Sequence, residues 1–471
     1  MNDLGGPCPM KEVGIIGAGL GGLTSGALLS KKGYRVKVFE KEKFLGGRAL
    51  TLDGSDLTVG EYKEILSRFD MWMPFSEPGL KEIFEEDLLS GYKLDLGFHL
   101  LGFIEKCTLM EILDEDDLSP GYSSSRFGVI TPENEVVYDF NRSLPLIDKL
   151  RLLPMLFKFS LIKRSSIEKM QKTPIKETID KNCKGHIKDA LATSARFIST
   201  INDLEKISTA EVLGVLKQWG RKSKPTGYPI DGSGTLSEGL AMIIEKNGGE
   251  INPKSEVERI SIEKGEAEGV VVDGEKIPFD LVISNLPVQD IFEIAPKKHF
   301  PQDYVDHLTG LKGSGSVCAY YALEDLDEDI SKKPVAFRER DIDVEGGAAA
   351  GIIDLQTAKP EMGMAPEGEY LIQAYIICTP EEAKDEDKVK MLRRALDKKM
   401  DLLVPGFEDD LKFALYPTSY HLDGVAKTID NEKPSLKTPV KGLYLVGDCI
   451  ESTGIGMNCA VDSAVRLSKK F

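Results

Sequence analysis

No two cysteines in this chain stand as a C-x-x-C pair. The seven, Cys8, Cys107, Cys183, Cys318, Cys378, Cys449 and Cys459, are scattered through 471 residues. That scatter argues against a zinc or dithiol redox centre and for a reduced, cytoplasmic setting. No metal site is expected. Only five histidines are present, and no spacing supports a nucleophilic triad. Clustered positive charge is also scarce. Lys and Arg number 60 against 77 Asp and Glu, a formal net charge of -17. This excludes a nucleic-acid partner, which needs Lys and Arg gathered on one face. It disfavours bulk attraction to anionic lipid, while leaving room for a local basic patch. No apolar run reaches the ~18 residues that span a bilayer. The opening MNDLGGPCPM has no charged segment followed by an apolar run, so no secretory signal is expected.

The chain does have glycine at particular places. Val13, Ile15 and Ile16 read as a short buried strand, followed by Gly17-Ala18-Gly19-Leu20-Gly21-Gly22. Leu23, Ala27 and Leu28 continue at helical spacing to Gly33, and Arg35 to Phe39 alternates as a second strand ending on Glu40. In this G-x-G-x-x-G turn Gly17 permits the tight bend and Gly19 admits a pyrophosphate to the backbone. Gly22 lets the helix pack on the strand. The helix start offers unpaired N–H groups to phosphate, and Glu40 stands where a carboxylate takes both ribose hydroxyls. Strand, turn, helix and acid together predict dinucleotide binding; FAD and NAD remain open at this point.

Three further segments carry a resemblance. Gly46-Gly47-Arg48 follows the second strand. The chain closes on strand Leu443–Val446, then Gly447-Asp448, a loop containing Gly454 and Gly456, and a helix from Met457. Between them, Tyr228-Pro229-Ile230-Asp231-Gly232-Ser233-Gly234 leads into a helix, short strands from Glu250, and Leu281 to Asn285. The chain resembles the phytoene desaturase branch of the FAD-dependent amine oxidase and phytoene desaturase superfamily. Asp231 departs modestly from the family pattern, which usually has glycine there.

The resemblance implies non-covalent FAD. It implies an α/β fold with a Rossmann-like, GR2-type FAD-binding domain and an interleaved substrate domain of mixed sheet and helical cap. Residues 1–100, 226–294 and 431–471 are assigned to the first, 101–225 and 295–430 to the second. Arg48 would neutralise phosphate charge, Val257 would hold adenine through its backbone, and Asp448 would contact ribityl or pyrophosphate. Gly456 and Met457 would face the flavin pyrimidine edge. The candidate cofactor set is Gly17, Gly19, Leu20, Gly21, Gly22, Glu40, Lys41, Gly46, Gly47, Arg48, Val257, Asn285, Gly447, Asp448, Gly456 and Met457.

The expected activity is dehydrogenation of an apolar, isoprenoid- or polyene-like substrate by hydride transfer to flavin N5. Alternatives are a redox-neutral double-bond isomerase using reduced FAD, an amine or protoporphyrinogen oxidase, and a non-enzymatic FAD-binding scaffold. Candidate catalytic residues are His99, His421 and Tyr420, with Tyr416 and Tyr420 expected in an aromatic wall. No second G-x-G-x-x-G follows a strand, so oxygen, a quinone or another flavoprotein is expected to take the electrons. Leu144 to Ile162 is apolar, carries Lys149, Arg151 and Lys158, and is expected to break at Pro154. It reads as a cap helix or as a peripheral contact with the inner face of a membrane. Residues 52–91 read as an insertion, either a lid or partner surface or an ordered loop.

Overall fold

A computed structural model describes residues 11–138, 144–222 and 226–471; Cys8 and the opening ten residues lie outside the described residues. Five parallel strands form one sheet: β1 (Glu12–Ile16), β2 (Arg35–Phe39), β3 (Glu250–Asn252), β4 (Leu281–Ser284) and β5 (Leu443–Leu445). Their spatial order is β3-β2-β1-β4-β5. Val13, Ile15, Val36, Val38, Val282 and Ile283 are fully buried, as expected where both faces of a parallel sheet are covered. Each such side chain stabilises by about 1.5–3 kcal/mol.

The seven longest helices among the described residues are α1 (Leu20–Lys31), α2 (Leu146–Leu161), α3 (Gly185–Ser199), α4 (Thr209–Lys222), α5 (Gly234–Lys246), α6 (Glu386–Leu403) and α7 (Met457–Ser468). Helix α1 connects β1 to β2 and packs against both α5 and α7. Its buried face is accordingly broad, and Gly26 permits the approach: a Cβ there would lie 2.7 Å from Ile244 Cδ1. Strand order reverses direction at β1, so the crevice beyond the carboxyl ends of β1, β4 and β5 is where this topology places a ligand.

A second sheet of eight strands runs in the order 71–77, 411–419, 315–323, 370–378, 348–354, 334–340, 128–130, 136–137. It is antiparallel except where 334–340 meets 128–130. All nine residues of 315–323 are buried, because strands flank it on both edges and helix α6 packs against it. Helices α2, α3 and α4 form the cap, held by an apolar cluster that includes Ile175, Ile179, Ile187, Ile198 and Val212.

Two expectations need correction. Within the 52–91 insertion, Met71–Glu77 is an edge strand of the eight-stranded sheet, paired with 411–419. It therefore belongs with the second sheet and not with the 1–100 block; the pairing partner lies some three hundred residues away, beyond reach of a local pattern. The second concerns Pro154. Helix α2 runs unbroken across it, the missing N–H and ring being accommodated within a continuous helix. No helix among the described residues is long and apolar enough to cross a membrane.

Candidate functional site

A cavity of about 690 Å³ runs from the carboxyl ends of the first sheet into the cap, within the range typical of cofactor and ligand sites. Its first stretch is lined by Glu40, Lys41, Glu256 and Val257, its middle by Gly17, Gly19, Leu20, Gly21, Gly46 and Gly47. Arg48, Asn285, Gly447, Asp448, Gly456 and Met457 also line it. The two ends of the chain thus meet at one cavity. Gly22 does not line it. A Cβ on Gly22 would sit 2.1 Å from the Gly17 carbonyl oxygen, so this glycine serves the packing of α1 on its own turn.

Two helix starts open here. Helix α1 begins after Gly19 and α7 after Gly456; neither has a side-chain cap or an acidic residue in its first turn. Such ends present unpaired N–H groups and a partial positive charge. The glycine turn is tight: a Cβ at Gly19 would lie 2.5 Å from Asn285 Nδ2, and one at Gly21 2.4 Å from Asn285 Oδ1. Gly46, with φ of 106°, adopts a backbone conformation open chiefly to glycine. Its N–H donates to the Ala18 carbonyl at 2.8 Å, which pins the Gly-Gly-Arg loop against the first turn.

Glu40 is buried, and burial raises its carboxyl above the ordinary value. Its Oε2 accepts the Ala18 N–H at 2.8 Å and its Oε1 the Glu42 N–H at 2.9 Å, which fixes the carboxylate at the cavity edge. Arg48 donates from Nη1 to the His421 and Leu422 carbonyls at 2.7 and 3.1 Å, and from Nη2 to Asp448 Oδ1 at 2.8 Å. Asp448 Oδ2 accepts the Gly424 N–H at 3.0 Å. Burial works against the Asp448 charge, but Arg48 and that N–H outweigh it and hold the carboxyl well below the usual range. Arg48 therefore ties two loops together, a task the family resemblance does not assign to it.

His99 and His421 both line the cavity. His99 Nε2 lies 2.7 Å from the Arg48 carbonyl and 3.1 Å from that of Leu96. Both partners only accept, so Nε2 carries the hydrogen and Nδ1 is the accepting atom. His421 Nδ1 stands 3.5 Å from Asp70 Oδ2 and its Nε2 3.3 Å from the Gly424 carbonyl.

Tyr420 does not line the cavity, nor does Tyr416. Both pack with an apolar cluster that includes Leu392 and Leu396 of α6. Tyr416 donates to Asp397 at 2.7 Å, and Lys384 Nζ lies 4.9 Å from the Tyr420 ring centre. The aromatic wall comes from elsewhere. Phe98 stacks on Tyr375 with centroids 4.5 Å apart, and Phe127 on Phe197 at 5.9 Å. Ile352, Val215 and Leu422 complete an apolar end. Phe98 is visible in the sequence beside His99; Phe127, Phe197 and Tyr375 stand in no local motif.

A charged group interrupts this end. Asp423 lines the cavity, accepting from Lys427 Nζ at 2.9 Å and Thr200 Oγ1 at 3.0 Å. Both partners of the ion pair are almost wholly buried, with side chains 5% and 1% exposed. Sequence reasoning misses this pair; its only signal is an Asp and a Lys four residues apart.

Comparison with known proteins agrees with this geometry. The family described as flavin containing amine oxidoreductase matches residues 20–469. An uncharacterised protein of Methanocaldococcus jannaschii is 29% identical over 58% of this chain and 58% of its own length. A 1-hydroxycarotenoid 3,4-desaturase of Flavobacterium is 24% identical over 70% of this chain and 67% of its own. The chain thus matches less than two thirds of the first of these relatives. Among solved structures, an oxidoreductase from Methanosarcina mazei superposes with a TM-score of 0.72 at 21% identity, covering 97% of this chain and all of that one. That likeness concerns the fold. Matched along nearly its whole length, this chain belongs to the flavin containing amine oxidoreductase family.

Proposed function

We propose that this protein dehydrogenates a largely apolar, isoprenoid- or polyene-like substrate. The observation that carries the reading is the apolar end of the cavity, walled by the Phe98–Tyr375 and Phe127–Phe197 stacks. Such walls orient a hydrocarbon chain and exclude water. Asp423 is paired with Lys427, so this end offers no net negative charge to draw in an ammonium group. A relative named as a carotenoid desaturase supports the same substrate class.

In this reading Glu40 holds the ribose of the adenosine half and the backbone at Val257 the adenine, with Lys41 beside them. The start of α1 at Gly19, Leu20 and Gly21 receives the pyrophosphate. Asn285 and Gly447 pack on that turn, and Asp448 holds the ribityl. The start of α7 at Gly456 and Met457 would meet the flavin pyrimidine edge, where a helix N-terminus would stabilise negative charge. Bound FAD supplies a hydride acceptor at N5. His99 accepts the proton at Nδ1, its ring being fixed through Nε2 by the carbonyls of Arg48 and Leu96. With FAD bound, the electrons would pass on to oxygen, a quinone or another flavoprotein.

Anaerobic mixing of holo-protein with polyenes and with amines tests the reading. Loss of the long-wavelength flavin absorbance is expected with polyenes. Bleaching by amines alone overturns it. Isomerised polyene without net oxidation would point instead to a redox-neutral isomerase.

A further inference from the structure

Helix α2 presents an apolar face that nothing among the described residues covers. Six of the eight exposed large apolar side chains among those residues sit on it. Leu146, Leu150, Leu153, Phe157 and Leu161, between 61% and 74% exposed, recur at steps of three and four. That spacing sets them along one side of the helix. The opposite side faces the cap. Asp148 is buried there, bonded to His186 Nδ1 at 3.0 Å and Arg151 Nη1 at 3.1 Å. Leu152 packs with the cap cluster. The helix is therefore seated by its inner side, and the leucine stripe is turned outward rather than left over from poor packing.

The charge around the stripe narrows its occupant. Residues 144–172 contain seven Lys or Arg and two acidic residues, in a chain whose net charge is -17. Lys163, Lys169 and Lys172 are exposed. A second copy docking stripe to stripe would bring two such basic clusters together. An apolar layer with an anionic surface satisfies both the leucines and the lysines.

We propose that α2 lies in the interface of a membrane bearing anionic headgroups, with the stripe below headgroup level and the flanking lysines among the headgroups. Helix α2 packs on α3, and Lys217 of α4 donates to the Ile162 carbonyl at the end of α2. Both α3 and α4 roof the cavity through Phe197, Thr200 and Val215. Docking thus places the cavity roof against the lipid, from which an apolar substrate would enter. That last consequence rests on the proposed function; the docking itself does not.

Co-sedimentation of full-length holo-protein with vesicles tests the docking without any substrate. Phosphatidylcholine vesicles containing phosphatidylglycerol should bind it, more weakly as salt is raised, and vesicles of phosphatidylcholine alone should bind less. Leu153→Ser with Phe157→Ser should lower binding by about tenfold or more. Lys163→Glu with Lys169→Glu should lower it by about tenfold on the anionic vesicles alone. All four side chains are exposed, so flavin content and melting temperature should stay unchanged. Equal sedimentation of wild type and the Leu153/Phe157 variant overturns the proposal. So does a concentration-dependent dimer that the same variant dissolves, which would give the stripe to a second copy. If docking holds while polyenes fail to bleach the flavin, the substrate assignment falls and the surface stands.

Discussion

Arg48 and Asp448, separated by 400 positions in the chain, meet at 2.8 Å between Nη2 and Oδ1. One follows β2 and the other follows β5. Their contact locks the Gly-Gly-Arg loop, the Gly-Asp loop and the 421–424 segment around the middle of the cavity.

Replacing Arg48 with Met leaves Asp448 buried without its cation. In the native protein the depressed Asp448 carboxyl contributes stability above the unfolded carboxylate value of about 3.9. That contribution is lost only as pH falls through its lower folded value. In the variant, burial dominates and the folded value rises above the unfolded one. The sign reverses: the variant loses stability as pH climbs from about 4 toward neutrality. A deficit of about 1–3 kcal/mol is expected near neutral pH. The guanidinium is one-third exposed (33%), so solvent screening keeps the loss at the lower end. Thermal unfolding followed by flavin fluorescence across that pH range measures it; a deficit that does not change with pH refutes the assignment.

Gly21→Ala should empty the cofactor site. The added Cβ would lie 2.4 Å from Asn285 Oδ1 and 3.0 Å from the Gly447 backbone nitrogen, forcing α1 away from the turn. Flavin absorbance per chain should drop sharply. Gly60→Ala provides the comparison. It lies in the helix Val59–Arg68, where a Cβ meets nothing within 4 Å. That change should retain flavin and stabilise the fold by about 0.4–1 kcal/mol, chiefly by restricting the unfolded chain.

Asp354 offers a pH test away from the cofactor. It is fully buried at the end of strand 348–354, accepting the Gln356 N–H at 2.9 Å, and burial pushes its carboxyl up to about 6. A carboxyl raised on folding favours the folded state at acid pH. That advantage is lost as pH rises from the unfolded value of about 3.9 through its folded value. Asp354→Asn removes the ionisation while keeping an acceptor for Gln356. Relative to wild type, the variant should therefore gain stability between pH 4.5 and 7, roughly, and stay level above that window. Melting temperatures at both ends check this; parallel curves would refute it.

The nucleotide-binding elements were legible because their chemistry is local. A turn that must admit phosphate needs glycine, and a strand buried on both faces needs an unbroken apolar run. Both leave marks within a few residues, as at Gly17–Gly22 and Leu443–Asp448. Placing Tyr420 on the cavity wall failed for a different reason. Its distance in sequence from the closing strand does not reveal that it packs, with Tyr416, on the cluster beside α6. The allegiance of Met71–Glu77 was hidden likewise, since its hydrogen-bonding partner is strand 411–419.

What the amino-acid sequence determined on its own is a dinucleotide site and the kind of fold that holds it, since both follow from backbone geometry that short motifs impose; the choice of FAD over NAD came from the family resemblance. Only the tertiary structure decided the make-up of the apolar end of the cavity and of the cap surface: which aromatics stack, that Asp423 is neutralised by Lys427, and that the α2 stripe faces outward. Those depend on contacts between residues far apart in the chain, such as Phe127 with Phe197 and Phe98 with Tyr375. Side-chain packing across such distances has no periodicity for a linear pattern to reveal.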